Sequence, residues 1–92
     1  MFDMAVIKKK IWPQFFDDVE SGKKKYELRL ADFHVQEGDT LILEEWNPET
    51  EKYTGRRLEK KVTYVGKFKI GEIPFWADKE VREKGIQIIS IE

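Results

Sequence analysis

The chain has no cysteine and a single histidine, His34. The first absence excludes disulfides, thiolate nucleophiles and thiolate-bound zinc. The second excludes any site that needs two imidazoles. Serines are two and threonines four, and no Ser-His-Asp set can be placed around His34, which sits in a polar segment and reads as a loop residue. The six glycines are scattered, so no glycine-rich phosphate loop is present. No metal-ligand spacing occurs, and no cofactor is implied. No apolar run approaches the roughly 20 residues of a membrane span. The N-terminal "MFDMAVIKKKIWP" lacks a signal-peptide layout, because its apolar stretch is short and its lysines follow it. The expected location is cytoplasmic, with no membrane and no metal among the partners and a monomer as the default state.

What is present is charge. Lys, Arg, Asp and Glu make up 38% of 92 residues, a balance common in proteins from hot environments. The net charge of −1 hides four blocks: residues 1–30 carry +2, 31–55 carry −6, 56–71 carry +5 and 72–92 carry −2. The first and third blocks could assemble a basic face. The plainer reading is charge pairing across an antiparallel sheet. With 40% hydrophobic residues, the length fits one domain over residues 1–92 with a single core.

Periodicity supplies the elements. Ala5 to Ile11 reads as a strand. "WPQFFDDVESG" reads as a short helix with Pro13 at its first position, a buried stripe of Phe15, Phe16 and Val19, and Gly22 after its end. In "KKYELRL", Tyr26, Leu28 and Leu30 share one face and Lys25, Glu27 and Arg29 the other. The expected arrangement buries the apolar set and points the polar set into a cleft, so that truncating Glu27 changes stability little. Thr40 to Trp46 is a third strand, buried on both faces at Leu41, Ile42 and Leu43. Asn47 to Gly55 reads as a polar loop, Arg56 to Phe68 as a long fourth strand, and Ile86 to Ile91 as the last. Between them a turn and a short helix near Asp78 to Glu83 are expected.

"GKKKYELR" carries Gly22, Lys24, Glu27 and Arg29 in the G-x-K-x-x-E-x-R pattern of ASCH domains, which belong to the PUA-like superfamily. Joined to "EGDTLILEEWNPET" and "YTGRR" at matching separations, the chain resembles a small uncharacterised ASCH-like branch. The resemblance implies an α+β fold, a small mixed β pseudo-barrel of about five strands with one or two short helices beside a cleft. It also implies recognition of RNA or of a modified nucleotide.

On that reading Lys24 and Arg29 hold phosphate oxygens, the guanidinium bidentately, while Glu27 orients them or reads a base edge. The alternative is an ordinary ion-pair ladder. Lys23, Lys25, Arg56 and Arg57 would add sequence-independent attraction. Bases stack on aromatic rings, and Trp12, Trp46, Tyr53 and Trp76 lie near element ends or loops, whereas Phe15, Phe16, Tyr26 and Tyr64 fall at core positions. Some ASCH relatives hydrolyse N-acetylated cytidine with the signature Lys, a Thr nucleophile and a distant Glu. This chain has Glu27 at the Thr position. A small amidohydrolase with Lys24 and Glu27 as the catalytic candidates therefore ranks second, and a protein-interaction domain third.

Overall fold

The computed structural model describes residues 4–68 and 79–92. Its elements in chain order are β1 (Val6–Ile11), α1 (Pro13–Glu20), β2 (Tyr26–Leu30), β3 (Thr40–Asn47), β4 (Lys52–Phe68), α2 (Lys79–Lys84) and β5 (Ile86–Ile91). The five strands form one mixed sheet in the order β1-β3-β4-β5-β2. β1 runs parallel to β3, and the other pairings are antiparallel. The fold is α+β, a small pseudo-barrel with two short helices. The turn expected before α2 falls outside the described residues.

β4 is the pivot of the sheet. Its first part pairs with β3, from Lys52 opposite Asn47 to Lys61 opposite Thr40. Its second part pairs with β5, from Val62 to Phe68. The register slips between Val62 and Tyr64, where the strand changes partners. An extra residue in one strand bends it and sharpens the local twist. That bend curls five strands around one core. β4 begins at Lys52, four residues before the start expected from alternation, and Asn47–Lys52 closes the hairpin in register.

The core gathers Ile11 from β1, Phe16 and Val19 from α1, Val35 from the segment before β3, Leu41 and Leu43 from β3, Val62 from β4, and Ile89 and Ile91 from β5. Ile42 is buried as well, so β3 is covered on both faces at this end. α1 starts at Pro13, where the missing N–H is harmless. It ends as Gly22 takes φ +81, a conformation costly for other residues. There the Gly22 N–H donates to the Val19 carbonyl at 3.1 Å and the Lys24 N–H to the Asp18 carbonyl at 2.9 Å. Asp39 is fully buried before β3 and accepts from the Ala5 and Gln36 amides, each at 2.9 Å. It ties the start of β1 to the turn that leads into β3.

β2 corrects the expected assignment of faces. Its alternation is as read, but Glu27 is the buried residue (3% exposed) and Leu28 is open to solvent (56%). Tyr26 is exposed too, and Leu30 is half-buried. The reason lies in the neighbouring strands. Glu27 pairs across with Ile89, which points into the core, while Leu28 pairs with Ile88, which points out. The outward rows run Tyr26–Ser90–Tyr64, Leu28–Ile88–Gly66 and Leu30–Ile86–Phe68. Tyr64, expected in the core, lies on this outer face, and Phe15 is about half exposed. A two-residue period separates the faces of a strand without saying which is inside.

Ile89→Ala should therefore cost about 2–5 kcal/mol, as large-to-small changes in a packed core do. Leu28→Ala should cost well under ~1 kcal/mol. Urea unfolding of the two variants checks the assignment.

Candidate functional site

Among the described residues the sheet does not close. β1 and β2 are its two edges. Hydrogen-bond parity fixes which groups face the opening. The Ile91 N–H donates to the Lys25 carbonyl and the Ala31 N–H to the Gly85 carbonyl. In an antiparallel ladder such bonded pairs alternate with unbonded ones. Lys25, Glu27 and Arg29 thus spend their main chain on β5, while Tyr26 and Leu28 turn theirs toward the free edge. On β1, the Ala5 carbonyl accepts from the Thr40 N–H of β3, so Lys10, of opposite parity, turns its carbonyl away from β3. Arg29 Nη2 donates to that Lys10 carbonyl. One guanidinium spans the gap where a ladder would otherwise run.

The same guanidinium is held by Glu27. Arg29 Nε and Nη2 lie 2.9 and 2.8 Å from Glu27 Oε2, and Lys24 Nζ lies 3.2 Å from Oε1. A buried carboxylate is tolerated because two cations neutralise it. The Lys24 ammonium also sits 4.8 Å from the Phe15 ring centroid and 5.2 Å from that of Tyr26. Such contacts are attractive through the ring quadrupole. Lys24 is thereby fixed between β2 and α1.

Beside this triad lies a cleft of about 700 Å³. Trp12 at the N-cap of α1 and Phe15 within it line one side, and Tyr26 and Leu28 of β2 line the other. Four cations, Lys10, Lys23, Lys24 and Arg29, line it against two carboxylates, Asp18 and Glu27. The excess is positive, and Lys23 has no carboxylate partner among the described residues. The cleft can therefore take an anion attached to a flat, partly apolar group.

The other residues singled out in the sequence fall elsewhere. Lys25 is exposed and lines a smaller hollow of about 340 Å³ with Lys24 and Lys60. Trp46 and Tyr53 face each other on the β3–β4 hairpin, with Lys10 Nζ 4.5 and 5.7 Å from their centroids. They are one lysine side chain away from the cleft and do not line it. Arg57 is exposed opposite Glu44. His34 is exposed between β2 and β3. Trp76 lies outside the described residues.

Arg56 has a structural task. Its Nε and Nη2 donate to Glu45 at 3.0 and 2.9 Å, and Nη2 also reaches Asp17 of α1 at 2.7 Å. Its guanidinium carbon lies 4.1 Å from the Phe16 ring centroid. The Thr54 hydroxyl donates to Glu45 at 2.6 Å. The hydrogen bond from Arg56, then that from Thr54, holds the Glu45 carboxyl below its ordinary value, against burial, which pushes it up. The same carboxylates raise the Arg56 guanidinium. The cluster anchors α1 on the hairpin.

Sequence reasoning missed Lys10, Phe15, Tyr26 and Leu28 as cleft residues. Lys10 and Leu28 reach it through strand edges, which no side-chain pattern marks. Phe15 and Tyr26 look like core residues, because the cleft that exposes them exists only once α1 has packed beside β2.

The geometry defines a small α+β domain with a cationic, aromatic-walled cleft at an open sheet edge. The chain belongs to the DUF3850 family, a domain of unknown function, whose model matches residues 6–73. Over 56 residues it is 43% identical to the "Uncharacterized 12.9 kDa protein in GpA 3'region" of Escherichia phage P2, a match covering 61% of this chain and 50% of that protein. The chain thus spans about half the length of this relative. The crystal structure of hypothetical protein PH0355 superposes with a TM-score of 0.69 at 19% identity, covering 97% of this chain and 98% of that one. The solution structure of protein PF0455 from Pyrococcus furiosus gives 0.55 at 16% identity, covering 95% and 96%. These two likenesses are of fold.

The triad reverses the expectation that truncating Glu27 is harmless to the fold. Glu27→Ala leaves Lys24 and Arg29 facing each other without the carboxylate, and stability should fall by about 1–3 kcal/mol, read by thermal or urea unfolding. Glu45 predicts a pH dependence. Its folded-state value is depressed, so its contribution is fully present above pH 4.5, the ordinary value, and is lost as pH falls through the lower folded value. Acid titration of Glu45→Gln should show a shallower loss of stability in that window than the parent.

Proposed function

We propose that the domain binds single-stranded RNA or a modified nucleotide in the cleft between β1 and β2. The observation that carries this reading is the convergence there of Lys23, Lys24 and Arg29 with Trp12, Phe15 and Tyr26. Cations attract phosphate, and rings offer stacking surface to a base, at about 1–3 kcal/mol per stacked base. A volume of about 700 Å³ suits one nucleotide unit better than a duplex. The ASCH-type signature at Gly22, Lys24, Glu27 and Arg29 supports the same ligand class. In this reading Glu27 acts as the neutralising base of the triad, and Lys24 and Arg29 are the cations it presents.

The described lining contains no Ser or Thr hydroxyl, and both Glu27 oxygens are taken by cations. Binding is therefore favoured over amide hydrolysis. One further observation favours a second reading. The outward apolar face with Tyr64, Phe68, Ile88 and Leu28 is exposed, and large exposed apolar patches mark interaction surfaces.

The test is a titration with short single-stranded RNA at low and moderate salt. Affinity should fall as salt rises. Lys23→Ala and Trp12→Ala, both at exposed positions, should weaken binding, the latter about tenfold, without lowering thermal stability. Titration curves unchanged by both variants would contradict the assignment.

A further inference from the structure

We infer that the unpaired edge of β2 reads the hydrogen-bonding edge of a single nucleobase, with the Tyr26 carbonyl as acceptor and the Leu28 amide as donor. The inference rests on the cleft reading above and names what discriminates inside it.

Three observations carry it. The ladder bonds at Lys25–Ile91 and Ala31–Gly85 fix the parity of β2, so the main-chain groups of Tyr26 and Leu28 point away from β5. Neither residue's main chain has a partner among the described residues. Both residues line the cleft. An unmade bond on such an edge is a template awaiting a partner. Along a strand, the carbonyl of one residue and the amide two residues on lie side by side on the same edge. An acceptor beside a donor complements any heterocycle with a donor and an acceptor on neighbouring atoms. Adenine, cytosine and uracil all carry such a pair. The surrounding groups fit the rest of a nucleotide: Trp12 and Phe15 offer ring faces, and Lys23 offers a free ammonium for phosphate.

The length of the edge decides between a base and a peptide. A peptide adding as a strand pairs over about five or six residues. Here the open stretch is Tyr26 to Leu28, because at Arg29 the guanidinium crosses to the Lys10 carbonyl. Three residues accommodate one base edge and stop a strand.

The parity also supplies a clean variant. The Leu28 N–H is outside the ladder, and proline is tolerated on an edge strand where its missing N–H faces away from the sheet. Leu28→Pro removes the donor, whereas Leu28→Ala truncates the same exposed side chain and keeps the donor, so the difference between the two variants isolates the N–H.

The experiment titrates the protein with adenosine, cytidine and uridine monophosphates, and with ribose phosphate as the base-free control, followed by proton–nitrogen NMR. At least one nucleotide should bind, move the Leu28 amide proton downfield and slow its exchange. Ribose phosphate should bind more weakly and leave that amide in place. Leu28→Pro should bind about tenfold more weakly than Leu28→Ala, the usual effect of one unmet hydrogen bond. Nucleotide binding that leaves the Leu28 amide unmoved overturns the edge reading and spares the cleft. Failure of every nucleotide to bind overturns both. Protection of the Tyr26, Leu28 and Leu30 amides by an extended peptide instead overturns the base in favour of strand addition. The amide shift in the parent protein decides the matter should the proline variant not fold.

Discussion

One side-chain bridge, from Arg29 to the Lys10 carbonyl, stands where a fifth strand pairing would close the barrel. Everything about the candidate site follows from that substitution of a guanidinium for a ladder. A closed barrel has no edges and no opening between its strands. This sheet keeps two edges, and holds them at the spacing that one arginine spans. The bridge works because Glu27 fixes the guanidinium from the other side through Nε and Nη2. A carboxylate buried under a sheet edge would be costly alone, and Lys24 supplies the second countercharge. The triad thus closes the fold and equips the cleft with the same three side chains.

The helix that forms the opposite wall is held by a separate electrostatic cluster. Glu45 sits where the β3–β4 register slips, between Glu44 and Trp46. Irregularities of this kind re-aim a side chain, and Glu45 is buried as a result. Arg56 joins it to Asp17 and lies against Phe16, both on α1. Phe16 and Val19 then fill the core from the inner face of the helix, while Trp12 and Phe15 remain beside the cleft. Two arginines therefore position the two walls, Arg29 for β2 and Arg56 for α1. Lys10 and Lys23 carry no such duty and have no carboxylate partner among the described residues.

The sequence was most legible where local chemistry decides structure. Pro13 and Gly22 bracket α1 because each fits one end of a helix and neither fits its interior. Ile86 to Ile91 is a strand over its whole expected length. Legibility failed where tertiary context decides. Lys52 to Gly55 joins β4 although its residues are exposed and show no alternation, because pairing with Trp46 and Asn47 suffices. The faces of β2 were separable, but their inside and outside were not. Glu27 looked too polar for the inner side, and only its two cations, one of them brought by the turn after α1, make that side acceptable. Arg56 read as one of a basic pair, since its carboxylates lie 11 and 39 residues away in sequence. The exposed main chain of Tyr26 and Leu28 leaves no mark in residue identity at all. It follows from which strand pairs with which.

The central claim is that Glu27 and Arg29 act as one unit that closes the sheet edge. A double-mutant cycle tests it most directly, with Glu27→Gln, Arg29→Gln and the combined variant compared with the parent by urea unfolding. The account predicts strong non-additivity, with the combined variant losing less than the two single losses together by about 1.5–3 kcal/mol, the range for a hydrogen bond to a charged group. Additive losses would mean that the two side chains stabilise the fold independently, and would contradict the account.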